Sequence, residues 1–419
     1  MSVHAGSILH VGGNNVIDRI QSAGLGDARV PREVIREVGN REVVDKVPGD
    51  PDFTFTLESF DVSTELEAWL SGKLGTDPLD PTKAPGATDP DGTAYSWLDC
   101  KYVNIVSPWK DPNTGAAGNV EAGHLVPGYY PTRVRYRFGV TDNSTQEVEL
   151  AGGSYYYAQH APVEDLASGD GALTDFDTAD DAVAYRRGGA GGTTFKWVFG
   201  VLVNGVLQVE GLDYVQTGPA AATPGPATVS FLVAPANGAD VRFVYFTTAA
   251  RAFPQAVNAS AIVKPAAVRG RNICVYLGDA GARAKLGGVQ SFELEATVDG
   301  EVEREFCNEE AIGRTINGRD CTGEVVVRSR NANAFFQLLS KVTGVAQSEV
   351  IGFLNQNSVP LTVEIQNPKN PAQVLKTLRV DDAIFDVPGT PARVNAPTDF
   401  SLRWESRSGD YRAIKGAMA

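Results

Sequence analysis

Two stretches of this sequence decide its fold: EVIREVGNRE, from Glu33 to Glu42, and EVEREFCNEE, from Glu301 to Glu310. The two stretches are identical at six of ten positions, and their first residues are 268 positions apart. In the second stretch Glu301, Glu303 and Glu305 fall at every other position, which is the two-residue period of a half-buried β-strand, and in the first Glu33 and Glu37 lie opposite Val34 and Val38. The match therefore indicates that one β-rich unit occurs twice in the chain.

Two further matches follow in the same order along the chain. VNIVSPWKDP from Val103 resembles VEIQNPKNP from Val363 at an offset of 260. VPGYYPTRV from Val126 resembles VPGTPARV from Val387 at an offset of 261. Three colinear matches at similar spacing predict an internal duplication.

Each half also contains a second strand signal and one helix signal. In the first half, apolar residues alternate with polar ones: Phe53, Phe55 and Leu57 with Thr54, Thr56 and Glu58. In the second half the same alternation occurs in Phe292, Leu294 and Ala296 with Glu293, Glu295 and Thr297. In the first half a capping box of Thr64 and Glu67 precedes an apolar stripe that ends at Gly75. In the second half Asn331 or Asn333 can cap a helix whose stripe ends before Gly344. We interpret the apolar and aromatic residues of both stripes as core.

The middle of the chain matches neither half. It begins with a Gly- and Asp-rich segment that we interpret as a linker, and Asn204-Gly205 then predicts a type I′ hairpin between two apolar runs. Residues 228–233 and 241–246 add two more alternating strands. This segment is predicted to be a small all-β, immunoglobulin-like module on the outside of the protein.

The predicted fold class is therefore mainly β, with two tandem α+β domains. Each domain is an antiparallel sheet or sandwich with one short helix. The predicted boundaries are 1–160 for the first domain, 161–263 for the inserted module and 264–419 for the second domain.

Composition and motifs argue against several functional classes. The chain has 419 residues, a net charge of -14 and a pI near 4.8, whereas nucleic-acid binders need clustered Lys and Arg. Its start resembles no signal peptide, and no apolar run is long enough to span a membrane. Phosphate-binding loops, nucleophile elbows and zinc-protease motifs are missing, and the four histidines and four cysteines lack ligand spacing. We expect no enzyme, metal site or cofactor, and reduced, buried cysteines.

Acidic residues form the remaining pattern of interest. They fall on predicted strand faces opposite apolar residues: Glu33, Glu37, Glu293, Glu295, Glu301, Glu303 and Glu305. One interpretation is a solvated sheet face. The other is the lining of a water-filled channel, whose carboxylates repel DNA phosphates and keep passage fast.

The block VIREVGNREVVDKVPGDPDFTFTLESFDVSTELEAWLSG, residues 34–72, resembles the core of the phage tail tube family. The duplication resembles long phage tails whose tube subunit contains two fused tube domains. VLVNGVLQVEGLDY, residues 201–214, is similar to β-modules of phage tail and fibre proteins.

The resemblance implies a structural subunit of the virion tail, assembled in the host cytoplasm. Its subunits would stack as rings around a channel through which DNA passes without specific binding. Two fused domains imply trimeric rings with pseudo-sixfold symmetry, and the other tail proteins implied as partners are the tape measure, terminator and baseplate proteins. The candidates for ring-to-ring contacts are an N-terminal arm, roughly 1–22, and the loop 76–93 with Asp77, Asp80, Lys83, Asp89 and Asp91.

Two other classes remain open from the sequence. One is a different virion structural protein, such as a capsid decoration or fibre-connector protein, which the inserted module fits. The other is a secreted carbohydrate-binding β-protein, against which the missing signal peptide counts.

Overall fold

The structure is a computed structural model of the chain. It describes residues 8–10, 16–17, 20–25, 32–35, 45–48, 54–60, 101–110, 117–151, 156–186, 195–204, 206–219, 223–249, 268–279, 283–303, 313–329, 332–354, 356–386 and 398–415. The helix predicted after Thr64 lies outside these residues.

Antiparallel strands dominate the described residues, so the prediction of a mainly β fold is confirmed. The strands are β1 Ile8–His10, β2 Val16–Ile17, β3 Ile20–Leu25, β4 Arg32–Ile35, β5 Asp45–Pro48, β6 Thr54–Ser59, β7 Lys101–Lys110, β8 Ala117–Gly139, β9 Thr145–Ala151, β10 Tyr156–Ala158, β11 Ala161–Ser168, β12 Asp175–Asp177, β13 Tyr185–Arg186, β14 Phe195–Lys196, β15 Val198–Val203, β16 Val206–Leu207, β17 Tyr214–Thr217, β18 Thr228–Phe231, β19 Asp240–Thr247, β20 Ile273–Leu277, β21 Ala284–Lys285, β22 Val289–Glu303, β23 Gly313–Ser329, β24 Val359–Asn367, β25 Asn370–Asp386, β26 Thr398–Ser406 and β27 Arg412–Lys415. The helices are α1 Ala332–Thr343 and α2 Val350–Leu354, and a short 3-10 turn spans Gly270–Asn272.

One 16-stranded sheet runs through both halves of the chain. Its main path is β2-β1-β7-β8-β22-β23-β26-β25-β24-β20-β21, and β9, β6 and β3 continue from β8 on a second path. The two halves join where residues 133–139 of β8 pair with residues 291–297 of β22. The sequence predicts a separate sheet in each half, whereas the structure joins them into one.

The same pairing order occurs in both halves. The first half follows β2-β1-β7-β8-β9-β6-β3, and the second follows β21-β20-β24-β25-β26-β23-β22. Even a register shift is repeated, between Ile20 and Ser22 in β3 and between Val289 and Ser291 in β22. This repeated topology supports a duplication, and the domain boundaries stay a prediction.

Apolar residues from both halves form one continuous core. It includes Phe55 and Leu57 of β6, which are fully buried, as the alternation in the first half predicts. Across the junction of the halves, the rings of Phe138 and Phe292 stack with centroids 5.8 Å apart. The two halves are therefore packed as one unit.

Helix α1 confirms the helix predicted in the second half. Its residue Leu339 is fully buried, and the ring of Phe336 lies edge-on to Phe400 at 6.3 Å. Gly344 follows the helix with φ +69, and its N–H donates to the carbonyl of Ser340, which ends the helix as a left-handed C-cap does. Because the helix begins at Ala332, Asn333 lies within it and does not precede it.

The middle of the chain folds as a two-layer sandwich. One sheet has the order β11-β19-β15-β16 and the other β12-β18-β17. The predicted hairpin is confirmed, because Asn204 has φ 52 and Val203 pairs with Val206. Between the layers lies an apolar cluster that contains Phe176, Tyr214 and Phe243.

The predicted linker at the start of this module is wrong. β11 begins at Ala161, shortly after β10 ends at Ala158, and it pairs along its length with β19. The outer face of the β19 and β15 layer packs on the first half through Leu125, Tyr156, Phe199 and Phe246. The ring centroids of Tyr156 and Phe199 are 4.5 Å apart. The module is therefore docked on the first half by an aromatic contact.

The N-terminal arm, which the sequence suggests for ring-to-ring contacts, contains strands of the large sheet. β1 pairs with β7, β2 pairs with β1, and β3 begins at Ile20 and pairs with β6. Parts of residues 1–22 therefore belong to the large sheet.

Candidate functional site

The most distinctive surface in the described residues is a charged face of the large sheet. It is formed by the residues of β6, β9, β8, β22, β23 and β26 that point away from the core. Cross-strand pairing places them in three neighbouring rows, which we call the charged face. The rows are Glu58, Glu147, Arg135, Glu295, Thr322 and Glu405; Thr56, Glu149, Arg133, Thr297 and Asp320; and Thr145, Arg137, Glu293, Glu324 and Arg403.

The sequence of each strand creates this face through simple alternation. In β22, residues Phe292, Leu294 and Ala296 are buried, and the intervening Glu293 and Glu295 point to the opposite side. β8 repeats the pattern, with buried Val134, Tyr136 and Phe138 alternating with its three arginines. Because the strands pair in register, the residues that point away from the core line up in rows across neighbouring strands.

Arginines of β8 lie at the centre of the charged face, between two acidic strands. On one side, Arg133 forms ion pairs with Glu147 at 2.8 Å and Glu149 at 2.9 Å, both on β9. This side belongs wholly to the first half. It neutralises two carboxylates that would otherwise lie next to Glu58.

On the other side the arginines reach into the second half. The Nε of Arg135 donates to Glu293 at 2.5 Å and lies 3.2 Å from Glu295, and Arg137 lies 3.8 Å from Glu293. These side chains are partly exposed, with 21% for Arg135 and 34% for Glu293. Hydrogen bonds between charged groups are shorter and stronger than those between neutral groups, so they hold the long side chains of Arg135 and Glu293 in fixed positions. The junction of the halves therefore carries an ion-pair ladder on the charged face and stacked rings on the core face.

Four of the five predicted acidic residues of the second half lie on one strand. The sequence places Glu293 and Glu295 on a strand that precedes the one with Glu301 and Glu303, whereas all four belong to β22. Glu293 and Glu295 are neutralised by arginines, so they differ from the free carboxylates expected. Glu301 and Glu303 lie further toward the β23 hairpin, are exposed, and Glu303 accepts a hydrogen bond from Thr315.

Other predicted positions fall at or beyond the limits of the described residues. Glu33 lies in β4, of which only the backbone is described. The remaining ones lie outside the described residues: Glu37, Asp77, Asp80, Lys83, Asp89, Asp91 and Glu305.

The three arginines of β8 are the residues that sequence reasoning missed. The segment TRVRYRFG, residues 132–139, places Arg133, Arg135 and Arg137 at every second position between apolar residues. The same period-two rule that found the glutamates applies here. A search for acidic residues alone overlooks this stripe.

No group of three or more His, Cys, Asp or Glu in the described part of the chain is placed to hold a metal ion. Cys274 and Cys321 are buried free thiols, and burial, with the nearby charges of Asp410 and Asp382, raises the pKa of Cys321 well above its ordinary value. Among the described helices, none has the length and apolarity needed to cross a membrane.

Comparison with known proteins adds a distant structural likeness. No protein-family model and no curated protein matches the chain. A chain from a solved structure, "Cryo-EM structure of the anti-feeding prophage (AFP) baseplate, 6-fold symmetrised", is similar to this one. The likeness has 12% identity and a TM-score of 0.24, and it covers 34% of this chain and 92% of that chain. At this TM-score the likeness assigns neither a fold family nor a function.

Proposed function

We propose that this chain is a structural, non-enzymatic subunit of a bacteriophage tail tube, which stacks as rings around a channel for the genome. The observation that carries the proposal is the charged face, which continues from the first half into the second without a break. A sheet with one polar face and one apolar face can curve around water while its other side packs on helices and loops. Six strands of this chain would then contribute one segment of the channel wall.

The charges of this face suit the wall of a channel through which DNA passes. Arginines that stood alone would bind phosphates and slow the passage. Here Arg133 and Arg135 each lie within 3.2 Å of two carboxylates. Because carboxylates outnumber arginines on the three rows, the face as a whole repels phosphates.

The sandwich module and the tail partners belong to the same proposal. A module docked through Tyr156 and Phe199 keeps one orientation relative to the sheet, and we place it on the outside of the tube. The tape measure, terminator and baseplate proteins are the partners that a tube needs along its channel and at its two ends. The virion tail is the proposed location.

Microscopy of the purified chain tests the proposal directly. We expect hollow tubes or rings in which three chains form a ring with pseudo-sixfold symmetry, because each chain carries the repeated strand order twice. Cryo-electron microscopy of the assembled tube measures the number of chains per ring. Six chains per ring reject the trimer, and chains that stay dispersed at all concentrations reject the tube.

Charge reversal tests the channel wall. Phage carrying Glu301→Lys together with Glu303→Lys should eject its genome about tenfold more slowly, because exposed ammonium groups bind passing phosphates. The rate is measured from the release of a fluorescent DNA stain after triggering. Asp175→Lys with Asp181→Lys changes the net charge equally on exposed residues of the sandwich module and serves as the control. Normal ejection by the first variant contradicts a lumenal position for this part of β22.

A decoration or fibre-connector protein of the virion is the second candidate. The docked sandwich module favours it, since such a module can present one fixed surface to another virion protein. Purified chains that bind assembled capsids or fibres, and form no rings, would support this alternative.

A further inference from the structure

A polar cluster in the sandwich module lies outside the charged face. Its members are Lys196 on β14, Glu210 shortly before β17, and Gln216 on β17. The Lys196 side chain is only 3% exposed, and its Nζ lies 3.9 Å from a carboxylate oxygen, Oε2, of Glu210. The same Oε2 accepts a hydrogen bond from Nε2 of Gln216 at 2.7 Å. One carboxylate oxygen therefore connects a buried amine with a side-chain amide.

Four hydrogen bonds fix the orientation of the Gln216 amide. Its Oε1 accepts from the backbone N–H groups of Trp197 at 3.0 Å and Val198 at 2.8 Å. Its Nε2 donates to the carbonyl of Val198 at 3.2 Å and to Glu210. Because a backbone N–H only donates and a carbonyl only accepts, the oxygen and the nitrogen of this amide are distinguished by their partners. Two N–H donors on Oε1 polarise the carbonyl carbon, Cδ, as the donors of an oxyanion hole do.

We propose that Lys196 and Gln216 form a covalent isopeptide bond, with Glu210 carrying the protons. Such a bond needs an amine, an amide whose oxygen is held by N–H donors, and a carboxylate beside both nitrogens. The shared oxygen of Glu210 keeps the two nitrogens less than about 7 Å apart, a distance that rotation of the flexible lysine stem closes. The modification does not depend on the proposed tube function.

The reaction balances without an oxidant or a second reactant. Glu210 accepts a proton from the ammonium of Lys196, and the neutral Nζ attacks Cδ of Gln216. The N–H groups of Trp197 and Val198 stabilise the negative charge that develops on Oε1. The Nζ–Cδ bond forms, the Cδ–Nε2 bond breaks, and two protons from Nζ pass through Glu210 to the departing nitrogen. The products are an amide between the two side chains and one ammonium ion.

The bond joins the two layers of the sandwich. Lys196 comes shortly before β15, which belongs to one layer, and Gln216 lies on β17 of the other. A covalent link between distant positions restricts the unfolded chain and so stabilises the fold. Thermal unfolding of the linked module should therefore begin at a higher temperature than that of an unlinked variant.

Intact mass spectrometry of the purified full chain tests the proposal. We expect a mass about 17 Da below that of the sequence, because one ammonia is lost when the amine replaces Nε2. After trypsin digestion, the peptide with Lys196 should remain joined to the peptide with Gln216. Lys196→Arg and Glu210→Gln should both keep the full mass of their sequences. Asp177→Asn removes an exposed carboxylate elsewhere in the module, so it serves as the control that still loses ammonia.

Two results would overturn the inference. One is a wild-type chain that keeps its full sequence mass, which means that hydrogen bonds alone hold the cluster together. The other is a loss of ammonia that maps to Asn204, because an asparagine before glycine also loses ammonia when the next backbone nitrogen attacks its side chain. A loss that persists in Lys196→Arg has the same meaning. The wild-type measurement needs no variant, so it decides the inference even where a variant fails to fold.

Discussion

Gly323→Ala should destabilise the protein by about 3 kcal/mol or more, or abolish its folding. Gly323 lies on β23 opposite Leu294, and its neighbour on the next strand is Trp404. A methyl group there would overlap the carbonyl oxygen of Glu293 and the indole ring of Trp404, both held by the core. Backbone cannot move aside as a flexible side chain does, so the strain falls on the whole sheet. Urea unfolding followed by tryptophan fluorescence measures the loss.

Gly318→Ala on the same strand is the matched control. Among the described residues, no other atom lies within 4 Å of the position that its methyl group would take. We expect a change of no more than about 0.5 kcal/mol. Equal unfolding midpoints for the two variants would show that Trp404 does not pack over Gly323.

Arg135→Glu should cost about 2 to 4 kcal/mol, the second largest effect that we expect. The change removes the ion pairs with Glu293 and Glu295 and places a fourth carboxylate beside Glu147 on the opposite strand. Like charges on neighbouring strands repel one another, and only 21% of the Arg135 side chain is exposed to screening water. The loss should shrink when salt is added, because ions screen the new repulsion.

Arg403→Glu makes the same change in charge elsewhere on the charged face. Its side chain is 72% exposed and its Nε lies 3.9 Å from Glu324, so we expect a cost below about 1 kcal/mol. Urea unfolding at low and high salt compares the two variants. A smaller loss for Arg135→Glu than for Arg403→Glu would mean that the ladder does not hold the halves together.

Local patterns predict the elements of the fold well. The alternation around Phe55 and Phe292, the helix before Gly344 and the hairpin at Asn204 each depend on residues close in sequence. The alternation in β22 places Glu293 and Glu295 opposite its buried residues for the same reason. Where neighbours along the chain determine a structure, the sequence signal is direct.

Such local patterns do not predict which strands pair when they are far apart in the sequence. Arg135 and Glu293 are separated by 158 positions, and nothing local indicates that β8 and β22 are neighbours. The third sequence match is also out of register, since Val126 pairs with Val103, whereas Val363, the counterpart of Val103 in the second match, pairs with Leu378. Two short motifs can match by composition while the strands around them pair with a different offset.

Composition is a misleading guide to the start of the sandwich module. The segment rich in Gly and Asp is typical of a linker, yet Asp165 accepts hydrogen bonds from the hydroxyl of Tyr245 at 2.6 Å and the N–H of Ala179 at 2.7 Å. These two hydrogen bonds connect β11 to β19 and to the segment at Ala179. Only the positions of its partners distinguish it from a solvated loop residue.

The junction of β8 with β22 also makes each half of the chain depend on the other. Duplicated domains can often be separated into two genes, because each copy keeps its own core and edges. Here a fragment ending before β22 would expose the edge of β8, and the complementary fragment would lose the contacts that Phe138 makes with Phe292 and that Arg135 makes with Glu293. We therefore expect either half, expressed alone, to be less stable than the same residues are in the whole chain.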